Sequence, residues 1–212
     1  MSADAWQWLL KTRLDLADRL DALASDAWEA ESLCADWRVR DVVGHVVWLA
    51  EATRSSATRD VVKTRKLPSA AIAQIGRDVG RRAPAELTQR LRAGAGGRFV
   101  VPTQPPVVAY ADTVIHSLDI LRAVGAPELD LGDRGGAIAT AYRKLGPVFG
   151  LGRRPARVRF VATDGGWSVG PAGGPVAEGA ANDVLLAMAG RPAGTARLRG
   201  AGVASLAAGG GR

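Results

Sequence analysis

Leu9, Leu16, Leu20 and Leu23 recur at helical spacing while Lys11, Asp15, Asp18 and Asp21 fall mostly elsewhere on the turn, a pattern that predicts an amphipathic helix over about residues 4–25. A break at ESLCADW separates it from a second periodic stretch, roughly Val39–Thr58, with Val42, Val46 and Leu49 on the core side and His45 beside them. The segments LPSAAIAQIGRDVG and APAELTQRLRAGAG read as shorter helices, each with a proline near its start, where the missing N–H costs nothing. Pro105 and Pro106 open a longer helix, about Val107–Val124, which Gly125-Ala126-Pro127 stops, and Ile138, Ala141, Leu145 and Val148 mark a further helix over Arg134–Phe149. After Gly150-Leu151-Gly152 the period changes from helical to alternating. Val158, Phe160 and Ala162 alternate with Arg157, Arg159 and Val161, and GWSVG follows the turn residues Asp164-Gly165-Gly166, which predicts a β-hairpin. Ala180–Ala189 then reads as a helix, and residues 194–206 as a strand or a short helix. The expected class is α+β: an all-helical domain over residues 1–152, then a small α/β domain over residues 153–212.

Composition narrows the setting. A chain of 212 residues with 47% hydrophobic content can bury a sizeable core. No apolar run approaches the roughly 20 residues of a membrane-spanning helix, and charges run throughout the N-terminal segment, so a soluble, cytoplasmic protein is expected. Cys34 is the single cysteine, which excludes an internal disulfide and a cysteine cluster; a metal would have to rest on nitrogen and oxygen. The formal charge is +7, and it is uneven: 20 Lys/Arg against 18 Asp/Glu over residues 1–152, and 8 against 3 over residues 153–212. Arg153, Arg154, Arg157 and Arg159 cluster in LGRRPARVRF, without the interleaved aromatics or motif of a nucleic-acid site, so this reads as a solvated linker and strand edge.

The candidate chemistry lies with the two histidines. Asp112 and His116 stand one helical turn apart, so their side chains share a face, and His45 belongs to another helix of the same predicted bundle. Two imidazoles and a carboxylate would make a three-ligand set for a divalent cation, with coordination positions left open; the residues alone equally allow a local Asp–His hydrogen bond or surface pair and a satisfied core histidine.

The strings LCADWRVRDVVGHVV, DTVIHSLDILRAVG, RVRFVATDGGWSVG and ANDVLLAMAGRP resemble, in order and spacing, successive blocks of the mycothiol-dependent maleylpyruvate isomerase-like family, within the DinB-like superfamily of metal-binding four-helix bundles. The resemblance runs from about residue 5 to residue 206. It implies a DinB-like bundle carrying a divalent metal, zinc in the family, on the positions matched by His45, Asp112 and His116, with Asp112 standing where the family more typically has glutamate. Asp119 matches the family's His-x-x-Asp pattern, either as a helix-face hydrogen-bond partner or as a group orienting a ligand. The implied cofactors are the metal and mycothiol, and the implied partners a small thiol and a small electrophile, with neither nucleic acid nor membrane. The chain would be a monomer or a homodimer. The implied activity is thiolate activation for isomerisation of, or conjugation to, the electrophile; the alternative is a non-catalytic metal-binding or regulatory paralogue. Arg191, after the last long helix, is a candidate clamp for a substrate carboxylate and equally a cap for helix carbonyls. Cys34 reads as a small hydrophobe, Trp37 as packing for the turn before the second helix, and Trp167 as core of the small domain.

Overall fold

The structure, a computed structural model, describes residues 2–101, 104–145 and 157–207. Ten described helices and a three-stranded sheet fall into two compact units, Met1–Glu128 and Leu129–Arg212.

The first unit holds α1 (Ser2–Asp21), α2 (Val39–Glu51), α3 (Arg54–Thr64), α4 (Pro68–Gly80), α5 (Pro84–Gly94) and α6 (Pro106–Ala123). Helices α1, α2, α5 and α6 form the bundle, in which α1 and α2 each pack on both α5 and α6. Leu16, Leu20, Val42, Val43, Val46, Val47, Leu87, Leu91 and Ile120 close its core, each at most 1% exposed. Burying a side chain of this size contributes about 1.5–3 kcal/mol, so the leucine and valine stripes visible in the sequence carry the bundle.

The expected second helix is two helices. Thr53 restarts the chain as an N-cap: its Oγ1 accepts the Ser56 backbone N–H at 3.2 Å, and Ser56 Oγ accepts the Thr53 N–H at 2.9 Å. That reciprocal cap ends α2 at Glu51 and lets α3 leave in a new direction. The prolines at the starts of α4, α5 and α6 sit in their first turns as expected. Gly125, at φ +66°, closes α6, and the Ala126 N–H reaches back to the Leu121 carbonyl at 2.9 Å.

Helix α4 lies against α2 at closest approach through glycines, with Ile75 and Val79 packed beside Trp48. A Cβ at Gly44 would stand 2.2 Å from the Gly76 carbonyl oxygen and 2.5 Å from the Gly80 nitrogen, and a Cβ at Gly80 would stand 2.5 Å from the Arg40 carbonyl oxygen. Two backbones this close exclude any side chain between them.

In the second unit α7 (Arg134–Leu145) packs on α8 (Ala181–Met188) and on β2 (Ser168–Val169). The predicted hairpin is present: β1 (Arg159–Ala162) pairs antiparallel with β2, with Phe160 opposite Val169. The sequence did not signal β3 (Val176–Gly179), which pairs parallel with β1 on its other edge and places Ala177 opposite Phe160. Residues 194–206 supply helix instead of strand, with α9 (Pro192–Thr195) and α10 (Gly202–Ala207). Trp167 lies over Gly135 and Gly136 at the start of α7, where a Cβ would approach the indole to 2.8 and 3.2 Å. This packing explains why the division falls before α7 and not at the expected 152/153: α7 is helical in character, yet its partners belong to the sheet unit. The expected linker Gly150-Leu151-Gly152, together with Val148, Arg153 and Arg154, lies outside the described residues.

Gly44→Ala should destabilise the chain by about 1–3 kcal/mol in denaturant unfolding, because the new methyl meets backbone on both sides. Gly96→Ala, where a Cβ would meet nothing within 4 Å, should be neutral or slightly stabilising.

Candidate metal centre

The site is built where α2 faces α6. A turn over residues 32–37 leads into α2: Ser32 Oγ donates to the Trp37 carbonyl at 2.8 Å, the Leu33 N–H donates to the Asp119 carbonyl at 3.2 Å, and Asp36 takes the left-handed conformation at φ 64°. Asp41, 3% exposed, then closes the helix start by accepting the Arg38 N–H at 3.0 Å. One turn further on, His45 lies 6% exposed among Val42, Val43, Val46 and Val47. On α6 the residues Asp112, His116 and Asp119 follow at i, i+4 and i+7, so they form one stripe along the face turned to α2.

The two imidazoles meet edge to face, with centroids 4.9 Å apart and planes at 79°. Asp112 lies between them: Oδ2 is 3.5 Å from His45 Nε2, and Oδ1 is 3.7 Å from His116 Nε2. These separations exceed hydrogen-bond length, and the buried Oδ2 has no hydrogen-bond partner. They do match the spacing of ligands around one ion, since zinc bonds of about 2.0–2.1 Å at tetrahedral angles place donor atoms roughly 3.3–3.4 Å apart. One ligand atom from each of His45, Asp112 and His116 lies within 4.8 Å of the others. The donor set, two nitrogens and a carboxylate oxygen, suits a divalent cation of borderline softness such as zinc. By chemistry and by spacing the residues fit the metal that the family resemblance implies.

Asp119 orients His116. Its Oδ2 lies 3.0 Å from His116 Nδ1, and the residue is 0% exposed. A carboxylate only accepts, so Nδ1 carries the proton and Nε2 presents its lone pair toward Asp112. Trp37 walls the site: its ring lies parallel to His116 at 6.4 Å and edge-on to His45 at 5.6 Å, while Trp48 adds a third face 6.2 Å from His45.

Burial resists the charge on Asp112, but in metal-free protein the positive charge of His116 and His45 in their protonated forms, with that of Arg13, outweighs it and holds the carboxyl down at about 2. Arg13, on α1, was not singled out from the sequence. It is 1% exposed, and burial lowers it to about 10, with Asp112 opposing that shift. The signal was present, since position 13 lies on the same stripe as Leu9, Leu16 and Leu20, an unusual place for a guanidinium.

Cys34, read as a small hydrophobe, is half-buried against the bundle core, yet it also lies within 4.8 Å of ligand atoms of His116 and Asp119. Chain folding and not local sequence brings these three together. Arg191 belongs to the second unit, where its Nη1 donates to the Ala189 carbonyl at 3.4 Å, beside the end of α8. Of the arginine cluster, Arg157 is exposed and Arg159 reaches the Ala172 carbonyl at 3.4 Å. Among the described residues no helix is long and apolar enough to cross a membrane.

Comparison with known proteins places this geometry. The family described as mycothiol maleylpyruvate isomerase N-terminal domain matches residues 9–121, which span the bundle and all three donor residues. Two solved structures share the fold at 14% identity, each covering 95% of this chain and 93% of its own. One is described as the mycothiol-dependent maleylpyruvate isomerase, with a TM-score of 0.59. The other, a histidine-to-alanine mutant under the same description, has a TM-score of 0.60. No curated protein matches.

The depressed Asp112 fixes a sign for acid stability. A carboxyl held at about 2 in the folded chain, against 3.8 as the ordinary value, contributes stability above roughly pH 4 and loses it as pH falls toward 2. Metal-free protein should therefore lose more unfolding free energy between pH 5 and pH 3 than its Asp112→Asn variant does, as read by denaturant titration at the two pH values.

Proposed function

The chain belongs to the mycothiol maleylpyruvate isomerase N-terminal domain family, and from that premise we propose that it is a metal-dependent enzyme using mycothiol to isomerise, or to conjugate with, a small electrophile. The observation that carries this reading is the convergence of His45, Asp112 and His116 from two helices, with a buried carboxylate oxygen left without a hydrogen bond.

When bound, the cation supplies Lewis acidity that lowers the pKa of a coordinated thiol, and the thiol supplies a nucleophilic sulfur, for reversible addition to an activated double bond or for lasting conjugation. The chain's own residues prepare that chemistry. His45 and His116 offer neutral nitrogen donors, and Asp112 offers a carboxylate that remains ionised at any working pH. Asp119 holds the proton of His116 on Nδ1, which fixes the tautomer and the ring orientation. Trp37 and the valines of α2 exclude water from the ring faces, so charge developing near the donors is less screened than it would be in solvent.

Metal analysis of the purified protein under zinc-replete conditions should give one equivalent per chain, and His45→Ala and His116→Ala should abolish it. Asp119→Asn should weaken zinc affinity by about 10–100-fold without removing a ligand. Zinc-loaded protein assayed with maleylpyruvate and a panel of small electrophiles should turn over only when mycothiol is supplied. A stoichiometry near zero in the wild type would defeat the metal site. Full zinc loading with no turnover across the panel would leave the non-catalytic metal-binding paralogue as the better reading.

A further inference from the structure

The cap at Thr53 turns α3 away from the end of α2, and a cavity of about 680 Å³ opens where the two helices part. A volume of that size accommodates a small organic ligand. Its floor is apolar: Trp48 and Ala52 from the end of α2 meet Ile75 and Val79 from α4, and all four belong to one hydrophobic cluster. None of His45, Asp112 and His116 lines it. Trp48 is the wall shared with the donors, since it lines the cavity while its ring lies 6.2 Å from that of His45.

The rim of the cavity is charged, and its charges are unequally satisfied. Arg90 grips Glu51 through two bonds, at 2.8 and 2.5 Å. Asp78 accepts from Gln74 at 3.0 Å and pairs with Arg81 at 3.4 Å, while Arg82 pairs with Glu86 at 3.2 Å. Two ammonium groups remain. Lys63 has no ion-pair partner among the described residues, and Lys66 donates only to the neutral amide of Gln74, at 3.0 Å. Against them stands one carboxylate without a cation, Asp60, which accepts the Trp48 indole N–H at 3.0 Å and so holds that ring in the floor. The lining therefore keeps a surplus of positive charge above an apolar base. Such a combination attracts a negative group and buries the ring or chain that carries it. Lysine offers a point charge and no rigid fork, so the rim selects for negative charge without distinguishing one acid group from another.

We propose that this cavity is a second small-molecule site, separate from the metal centre, which takes an amphipathic organic anion: an aromatic ring against Trp48 and Ile75, and an acid group at Lys63 and Lys66. The indole favours an aromatic ligand, because offset or edge-to-face ring contacts add to the burial of apolar area.

The test uses 2-naphthoate and 2-naphthalenemethanol, which share a ring system and differ in charge. Titration of isotope-labelled protein with naphthoate should move the Trp48 indole N–H signal in a saturable way, that signal being identified by its absence from the Trp48→Phe spectrum. At low salt the wild type should bind naphthoate about threefold to thirtyfold more tightly than the alcohol, the range for two exposed charge pairs, and the ratio should fall as salt is raised. Lys63→Gln combined with Lys66→Gln should bring the ratio near unity while leaving the affinity for the alcohol unchanged. Gln74→Trp, which puts an indole into the cavity from α4, should remove binding of both probes. Zinc-free and zinc-loaded protein should bind naphthoate alike. A Trp48 signal that does not move, a ratio that survives in the lysine variant, or binding retained by Gln74→Trp would overturn the proposal. Binding that requires zinc would overturn it too, since naphthoate would then be a ligand of the metal centre. A chain that takes up no zinc yet binds naphthoate in this way would defeat the metal site and leave the cavity standing.

Discussion

Asp112 brings a negative charge between two helices of a bundle whose core is built mainly of leucine and valine, and the surrounding chain is arranged to tolerate it. Two imidazoles stand 3.5 and 3.7 Å from its oxygens, and a buried guanidinium from α1 acts on it from further off. Neither imidazole closes to hydrogen-bond length. A bundle evolved only for stability would fill the same space with leucine, since a buried charge without a bonded partner is worse than an apolar isostere. Two imidazoles and a carboxylate from two helices, spaced as ligands and not as hydrogen-bond partners, support the proposed cation site.

Keeping such a place requires α2 to be fixed from both sides. On one side it faces α6 across the donors. On the other it is pressed against α4 through Gly44, Gly76 and Gly80, where no side chain fits between backbones. Close backbone contact leaves α2 little freedom to slide or turn, so His45 keeps its register with Asp112. The short side chain of Asp112 makes that register matter for the proposed site, because its reach is set by helix placement.

How much of this was legible in the sequence follows from what the chain encodes locally. The helical stripes of α1, α4, α5 and α6 were read correctly because each carries apolar residues at one period, and α4, α5 and α6 have proline at their starts. The break between α2 and α3 was missed because apolar periodicity continues across it, and only the hydroxyls of Thr53 and Ser56 stop the helix. Strand β3 was missed because PVAEG is too short to show alternation, and its pairing partner lies some 17 residues back in sequence. His45, Asp112 and His116 were legible as a set through spacing on α6 and through family resemblance. Arg13 was not, because an arginine in an amphipathic helix is ordinarily assigned to the wet face. Its place on the stripe of Leu9, Leu16 and Leu20 was the signal against that assignment, and its burial in the structure agrees with the stripe.

On the proposed reading, His116 discriminates between two possible donor groups. It is shared by His45, Asp112 and His116 on one side and by Cys34, His116 and Asp119 on the other. An imidazole has one lone pair to give while neutral, and the 3.0 Å contact from Nδ1 to the Asp119 carboxylate shows where its proton is. With Nδ1 donating, the lone pair belongs to Nε2, which faces Asp112. For Cys34 and Asp119 to hold an ion with this ring, Nδ1 would have to surrender its proton and the hydrogen bond to Asp119 would be lost. Retaining that bond costs the first group nothing and even strengthens Nε2 as a donor, since a carboxylate on Nδ1–H raises the basicity of the far nitrogen. On the proposed reading the same side chain makes one group into ligands and the other into their support, with Cys34 against the supporting pair.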